Sequence, residues 1–176
     1  MKSEVRSQKS GFQKLAIIAL GSNLGDSRKI ISEATSRLQK FSDEPILKSS
    51  LWQTTPVNCP AGSPMFVNAV VAIVPRAGET PESLLEKLRA TEKEFGRQPK
   101  KVLNEPRPLD LDLIAFGNEI RDTDFLKLPH PRAHERGFVL QPLNEIAPDL
   151  VLPKQTKTVS ELLRGLRSEE SLVRIQ

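Results

Sequence analysis

The chain has 176 residues, 38% of them hydrophobic and 27% charged, which is typical of a single globular domain with a buried core. Its net charge of +4, from 26 basic and 22 acidic side chains, suits a polyanionic substrate but is far too small to indicate a nucleic-acid-binding protein. One cysteine, Cys59, excludes an internal disulfide and favours a reducing compartment, so we expect a cytoplasmic protein.

The first half of the chain predicts strands that alternate with helices. Residues 1–13 are polar and are expected to form a disordered tail, so the single domain is expected to span residues 14–176. Thr80 predicts a helix N-cap, followed by proline in the first turn. The predicted elements are a buried strand over residues 14–20, a helix over 27–41, a strand over 46–53, a loop over 54–64, a strand over 66–74 and a helix over 81–95.

The second half begins with a basic loop, residues 97–108, which leads into a strand that starts near Asp110. The pair Gly117-Asn118 predicts a hairpin turn that brings this strand back over residues 119–121. Residues 131–143 are expected to be partly helical, and a capping box at Thr158 begins a last helix. The order βαββαβ, followed by added helices and a hairpin, predicts an α+β fold of the ferredoxin-like kind.

The strand that contains Asp110 and Asp112 is the most informative stretch. Because side chains alternate between the faces of a strand, both carboxylates lie on one face, roughly 7 Å apart. Two like charges placed side by side suit bound cations, and carboxylate oxygens are the ligands that Mg²⁺ prefers. Arg107, just before them, can clamp a phosphate. A polar strand face that is simply solvated would explain the same pattern. The opposite face is expected to pack in the core through Leu109, Leu111, Leu113 and Ala115.

Several short motifs follow one another along residues 14–153. They are Gly21-Ser22-Asn23-Leu24-Gly25, Thr54-Thr55-Pro56-Val57, Phe66-Val67-Asn68-Ala69, Glu92-x-x-x-Gly96-Arg97, Pro106-Arg107-x-x-Asp110-x-Asp112 and Leu128-Pro129-His130-Pro131-Arg132-x-His134-x-Arg136-Gly137-Phe138. Each is weak alone, but the ordered set resembles the 6-hydroxymethyl-7,8-dihydropterin pyrophosphokinase family of folate biosynthesis. The resemblance implies an ATP-dependent diphosphotransferase that transfers diphosphate to the pterin hydroxymethyl group and releases AMP.

The same resemblance implies a role for each matching residue. Asp110 and Asp112 would hold two Mg²⁺ ions and would form the catalytic group together with Arg107 and Arg97. The implied ATP-binding residues are Glu92, Arg107, Leu113, His130 and Arg136. The implied pterin-binding residues are Thr54, Thr55, Val57, Phe66, Asn68, Asn104 and Phe138. Several of these positions have plainer interpretations, because Glu92 could be a surface charge, Arg97 a solvated loop charge, and Phe66 and Phe138 ordinary core residues.

The implied partners are small molecules, ATP and the pterin, with no nucleic acid and no membrane. We expect a monomer, with a homodimer as the alternative. A pterin-binding or nucleotide-binding relative without activity stays open, because Asn104 stands where many family members carry a tryptophan. A ferredoxin-like RNA-binding module is a weaker alternative, since it needs exposed aromatic side chains and this chain has no tyrosine and one tryptophan.

Overall fold

The structure is a computed structural model, and it describes residues 14–99, 105–168 and 170–176. The predicted tail and Asn104, predicted to contact the pterin, lie outside these residues. The strands are β1 (Ala16–Ser22), β2 (Leu47–Lys48), β3 (Leu51–Thr54), β4 (Phe66–Ile73), β5 (Asp110–Phe116), β6 (Arg121–Asp122), β7 (Lys127–Leu128) and β8 (Leu172–Ile175). The α-helices are α1 (Ser27–Leu38), α2 (Pro81–Glu94), α3 (Gly137–Ile146) and α4 (Val159–Gly165). None of the helices within the described ranges is long and apolar enough to cross a membrane.

The main sheet has the strand order β5-β1-β4-β3-β8, and β2 pairs with the other end of β4. All of these pairings are antiparallel, so helices and an antiparallel sheet together make the α+β fold that the sequence predicts. Strand β1 is buried along its whole length, as its apolar run predicts. In register, Gly21 lies opposite Asn68 of β4 and opposite Asp110 of β5. The central strand thus places the predicted pterin-binding amide and a predicted metal ligand on its two neighbours.

The core has two parts, one on each face of the sheet. On the first face, Ile18 and Leu20 of β1 belong to the same cluster as buried residues of α1 and α2. On the second face, Ile17 and Ala19 cluster with residues of α3 and α4. The alternation of side chains along β1 therefore supplies both halves of the core.

Strand β5 departs from the predicted alternation at its far end. Leu109, Leu111 and Leu113 are buried in the first cluster, as predicted, but Ala115 lies in the second cluster beside Ile114. A bulge is the cause, because the pairing with β1 shifts register between Ile17 and Ile18 and leaves Ile114 without an opposite residue. Asp110 and Asp112 precede the bulge and keep the alternation that places them on one face.

The predicted elements and the structure differ in three places. The strand predicted over residues 46–53 is divided into β2 and β3, because the Ser49 hydroxyl accepts a hydrogen bond from Val70 N (3.0 Å) in place of a backbone carbonyl. The predicted hairpin after Gly117 is wrong in its partner, since β6 pairs with β7 and not with β5. His130 N instead donates to Ile114 O of β5 (2.8 Å). The edge strand β8, which pairs with β3, was not predicted.

Candidate active site

Two cavities meet where β5 begins. One has a volume of about 170 Å³ and the other of about 820 Å³, and four charged side chains line both of them. These shared residues are Arg107, Asp110, Asp112 and Arg136. Molecules that fill the two cavities would therefore both lie next to the two aspartates.

The smaller cavity, called here the pterin cavity, brings together every predicted pterin-binding residue that the structure describes. They come from the end of β3, the loop after it, the start of β4 and the start of α3. The lining includes Thr54, Thr55, Val57, Phe66, Asn68 and Phe138. This grouping joins segments that are more than 80 residues apart in the sequence, between Thr54 and Phe138.

The amide of Asn68 is held in place from two sides. Its Nδ2 donates to the hydroxyl of Thr54 at 2.8 Å, and both residues are buried. On the other side lies Gly21, where an added Cβ would come within 3.0 Å of Asn68 Oδ1. The predicted first strand ends at residue 20, yet Gly21 is the sixth residue of β1. A glycine inside a strand marks a close approach of this kind, and that signal was available in the sequence.

Both oxygens of Asp110 have guanidinium partners. Arg97 Nη1 lies 2.6 Å from Oδ1, and Arg107 Nη2 lies 2.8 Å from Oδ2. Although burial acts in the opposite direction, the charges of Arg107 and Arg97 lower the pKa of Asp110. The interpretation of Arg97 as a solvated loop charge is therefore wrong, because its guanidinium is largely buried between Asp110 and Glu92.

Asp112 lies in a different electrostatic environment from Asp110. Burial, and next to it the negative charge of Asp110, raise the pKa of Asp112 to about 6, while Arg136 acts against this shift. Arg136 Nη1 lies 3.8 Å from Asp112 Oδ2, beyond hydrogen-bonding distance. One carboxylate of the pair is thus compensated by arginines, and the other has room for a further cation.

Glu92 lines the larger cavity from α2. It is 7% exposed, so the surface-charge interpretation is wrong. Its side chain accepts a hydrogen bond from Leu111 N at 2.7 Å and contacts Arg97. Burial raises its pKa to about 7 against the attraction of Arg97. Leu113, also predicted to bind ATP, has its side chain in the core, so only its backbone is left for such a contact.

His130 lines the larger cavity with its ring in a fixed orientation. Its Nδ1 accepts a hydrogen bond from Arg132 N at 3.2 Å, which leaves Nε2 to carry the proton of the neutral ring. Burial, followed by the charge of Arg136, lowers the pKa of His130 to about 4. At neutral pH the ring is therefore an uncharged hydrogen-bond donor.

This low pKa predicts a pH-dependent stability. Because the unfolded histidine takes up its proton near pH 6.5 and the folded one near pH 4, the free energy of unfolding should fall as the pH falls through that interval. In the variant His130→Asn, which keeps an acceptor for Arg132 N, we expect the free energy of unfolding to fall by about 1–2 kcal/mol less over this interval than in the wild type. The difference is of this modest size because the ring is only half-buried. Urea unfolding at the two ends of the interval measures this, with His134→Asn as the matched control. Identical pH profiles for wild type and His130→Asn would contradict the assignment.

Asn23 fixes the segment that leads into β5. Its Oδ1 accepts from Arg107 N at 2.9 Å, and its own N donates to Arg107 O at 3.2 Å. Its Nδ2 also donates to Pro64 O at 3.3 Å, just before β4. The residue is 3% exposed. Asn23 belongs to the first of the sequence motifs, but the motif indicates no role for it, because its three bonds reach segments that are distant in the sequence.

No group of three or more histidine, cysteine, aspartate or glutamate side chains within residues 14–99, 105–168 and 170–176 forms a metal site by itself. Asp110 and Asp112 therefore offer two carboxylates at most. A hard cation bound there would take its remaining ligands from water or from a substrate.

Comparisons with known proteins agree with the geometry. The family described as 7,8-dihydro-6-hydroxymethylpterin-pyrophosphokinase (HPPK) matches residues 17–148. The chain is 39% identical to the 2-amino-4-hydroxy-6-hydroxymethyldihydropteridine pyrophosphokinase of Pseudomonas aeruginosa over 137 residues, which is 77% of this chain and 82% of that protein. It is also 37% identical to the folic acid synthesis protein fol1 of Pneumocystis carinii, over 85% of this chain. That alignment spans only 20% of the fungal protein.

A crystal structure of HPPK-DHPS from Plasmodium falciparum has a similar fold. Its TM-score is 0.66, with 15% sequence identity, and the match covers 85% of this chain and 42% of that one. At this identity the likeness concerns the fold alone. The family match over most of the chain and the bacterial relative establish that the chain belongs to the 7,8-dihydro-6-hydroxymethylpterin-pyrophosphokinase family, as the ordered motifs predict.

Proposed function

We propose that the chain transfers the diphosphate group of ATP to the hydroxymethyl group of 6-hydroxymethyl-7,8-dihydropterin and releases AMP, as a step of folate synthesis. In this reaction the hydroxymethyl oxygen forms a bond to the β-phosphorus and releases its proton to solvent, and the bond from that phosphorus to the oxygen of the α-phosphate breaks. The observation that carries the proposal is the meeting of the two cavities at Asp110 and Asp112. It would bring a hydroxymethyl group and a triphosphate together at the same carboxylates.

The pterin cavity supplies what a flat heterocycle with polar edges needs. Phe66 and Phe138 offer apolar faces, and the amide of Asn68 offers both a donor and an acceptor. The bond from Asn68 to Thr54 holds the amide in one orientation before the ligand arrives, so little ordering remains for the binding step.

Donors for the triphosphate lie on the side of the larger cavity. Arg107 and Arg136 carry positive charge to the boundary between the two cavities, and neutral His130 adds an N–H donor. Arginine suits phosphate because its planar fork donates two parallel hydrogen bonds. These groups would hold the triphosphate in position and stabilise the charge that develops on it, which is the main protein contribution in phosphoryl transfer.

Asp110 and Asp112 would hold two Mg²⁺ ions. The donor set fits, because Mg²⁺ in nucleotide sites is bound through one or two carboxylates and takes its other ligands from water and phosphates. When bound, the ions would neutralise the triphosphate and orient it for in-line attack. Arg97, which contacts Asp110 Oδ1, would have to move from the carboxylate as the ions bind, and its charge would then be free for the nucleotide.

The other expectations stand as proposals alongside this one. The βαββαβ order of β1, α1, β2 with β3, β4, α2 and β5 supports the ferredoxin-like assignment. We also infer a cytoplasmic monomer that acts on small molecules and not on nucleic acid or membranes. The single cysteine supports the location.

Release of AMP from ATP tests the function directly. With Mg²⁺ and the pterin present, we expect stoichiometric formation of AMP and of the pterin diphosphate, and little AMP when either is left out. Binding of both ligands without AMP release would favour the inactive relative. Affinity for single-stranded RNA, with none for the pterin, would favour the RNA-binding module, which the acidic pair on β5 already disfavours.

A further inference from the structure

Glu170 lines the pterin cavity together with Ser168, although both lie beyond residues 17–148 that the family match covers. The segment is attached to the predicted pterin loop by two hydrogen bonds. Thr55 N donates to Ser171 O at 3.3 Å, and Ser171 N donates to the Thr55 hydroxyl at 3.2 Å. Ser168 and Glu170 therefore form part of the wall of this cavity.

The two carboxylate oxygens of Glu170 are used unequally. Oε2 accepts a hydrogen bond from Phe138 N at 3.2 Å, in the first turn of α3. The N-cap residue of that helix, Arg136, makes no side-chain cap of its own, so Glu170 serves as the cap. Oε1 is buried and has no hydrogen-bond partner among the described residues. A buried acceptor without a donor is unusual in a folded protein and calls for an explanation.

Gly137 shows that the position of the carboxylate is built into α3. A Cβ added at Gly137 would lie 2.6 Å from Glu170 Oε2 and 2.9 Å from Leu172 Cδ1. Any larger residue at 137 would push the carboxylate away from the helix and from the cavity wall. The sequence therefore keeps a glycine where Glu170 has to approach closely.

We propose that Glu170 is a specificity-determining residue of the pterin site, whose Oε1 accepts a hydrogen bond from an N–H group of the bound heterocycle. The inference rests on the proposed function, since it assigns a ligand contact to the same cavity. An ionised carboxylate only accepts hydrogen bonds, and the pterin ring carries amino and ring N–H donors. The terminal torsion of a glutamate is broad, so the carboxylate can turn as the ligand binds.

Glu170→Gln separates the ligand contact from the helix cap. A glutamine has one acceptor oxygen, so it cannot serve both Phe138 N and the ligand. We expect the pterin dissociation constant, measured by calorimetry with a non-hydrolysable ATP analogue present, to rise roughly tenfold. The dissociation constant of the analogue should stay within about twofold. Glu161→Gln is the matched control, because Glu161 belongs to the capping box of α4 and does not line the cavity.

A second comparison covers the case in which Glu170→Gln disturbs α3. Gly137→Ala should weaken pterin binding in the wild type, and clearly less when Glu170 is already alanine, because the closer of its two clash partners is then gone. Equal effects of Gly137→Ala in both backgrounds, or an unchanged pterin affinity in Glu170→Gln, would overturn the inference. Failure of the proposed function would look different, since the wild type would then bind the ATP analogue but no pterin.

Discussion

Asp112→Asn should reduce diphosphate transfer by about 10²–10³-fold or more and leave the fold intact. Asp112 lines both cavities, and the amide that replaces it cannot balance the charge of a bound cation. It is a better test than Asp110, whose removal would leave the guanidinium groups of Arg97 and Arg107 without their carboxylate. Steady-state AMP formation at saturating Mg²⁺ measures the loss. Turnover close to that of the wild type would refute the assignment of Asp112 as a metal ligand.

Asp112→Asn should also change how the free energy of unfolding depends on pH. The pKa of Asp112 is raised to about 6 in the folded chain, so the stability that it contributes at low pH is lost as the pH rises through 6. Above that pH, Asp112→Asn should be as stable as the wild type or slightly more so. The gain should stay below about 1 kcal/mol, because the side chain is 36% exposed. Thermal unfolding checks this, with Asp122→Asn as the control, since Asp122 is 78% exposed on β6.

Asn68→Ala should weaken pterin binding far more than nucleotide binding. The change leaves a heterocycle edge and the Thr54 hydroxyl without their partner in a buried site. A lost partner of this kind is worth about 1–3 kcal/mol, or roughly a fivefold to 150-fold rise in the dissociation constant. Calorimetric titration of the pterin and of an ATP analogue decides the matter. Equal losses for both ligands would mean that Asn68 is a structural residue.

Two further variants complete that test. Gly21→Ala keeps the amide but places a Cβ 3.0 Å from Asn68 Oδ1, so it should weaken pterin binding in the same direction by a smaller factor. Asn118→Ala removes an exposed amide in the turn after β5 and should leave both affinities unchanged.

The sequence was informative wherever a pattern is local. The alternation along β5 predicted one face for Asp110 and Asp112, and the N-cap residue Thr80 predicted the start of α2, which the structure confirms. The predicted pterin-binding residues came from motifs that are short unbroken stretches, and the structure places those that it describes in one cavity. Such signals depend on neighbours within four residues, and those are visible in a linear sequence.

The contacts that shape the site are not local. The position of Arg97 between Glu92 of α2 and Asp110 of β5 is a tertiary contact, and no spacing in the sequence encodes it. The edge strand β8 was missed because four residues that pair at one sheet edge carry little pattern of their own. The approach of Glu170 to Gly137 was not predicted either, because the two residues are far apart in the sequence.

The three bonds of Asn23 have a consequence for how relatives of this chain can vary. They tie the turn after β1 to Arg107, which stands three residues before Asp110, and to Pro64, which stands two residues before Phe66. An insertion or deletion in either short interval would displace Asp110 or Phe66 relative to Asn23. Length changes should therefore be rare in these two intervals among sequences that keep an asparagine at 23. Where that asparagine is replaced, both intervals should become free to change, and they should do so together.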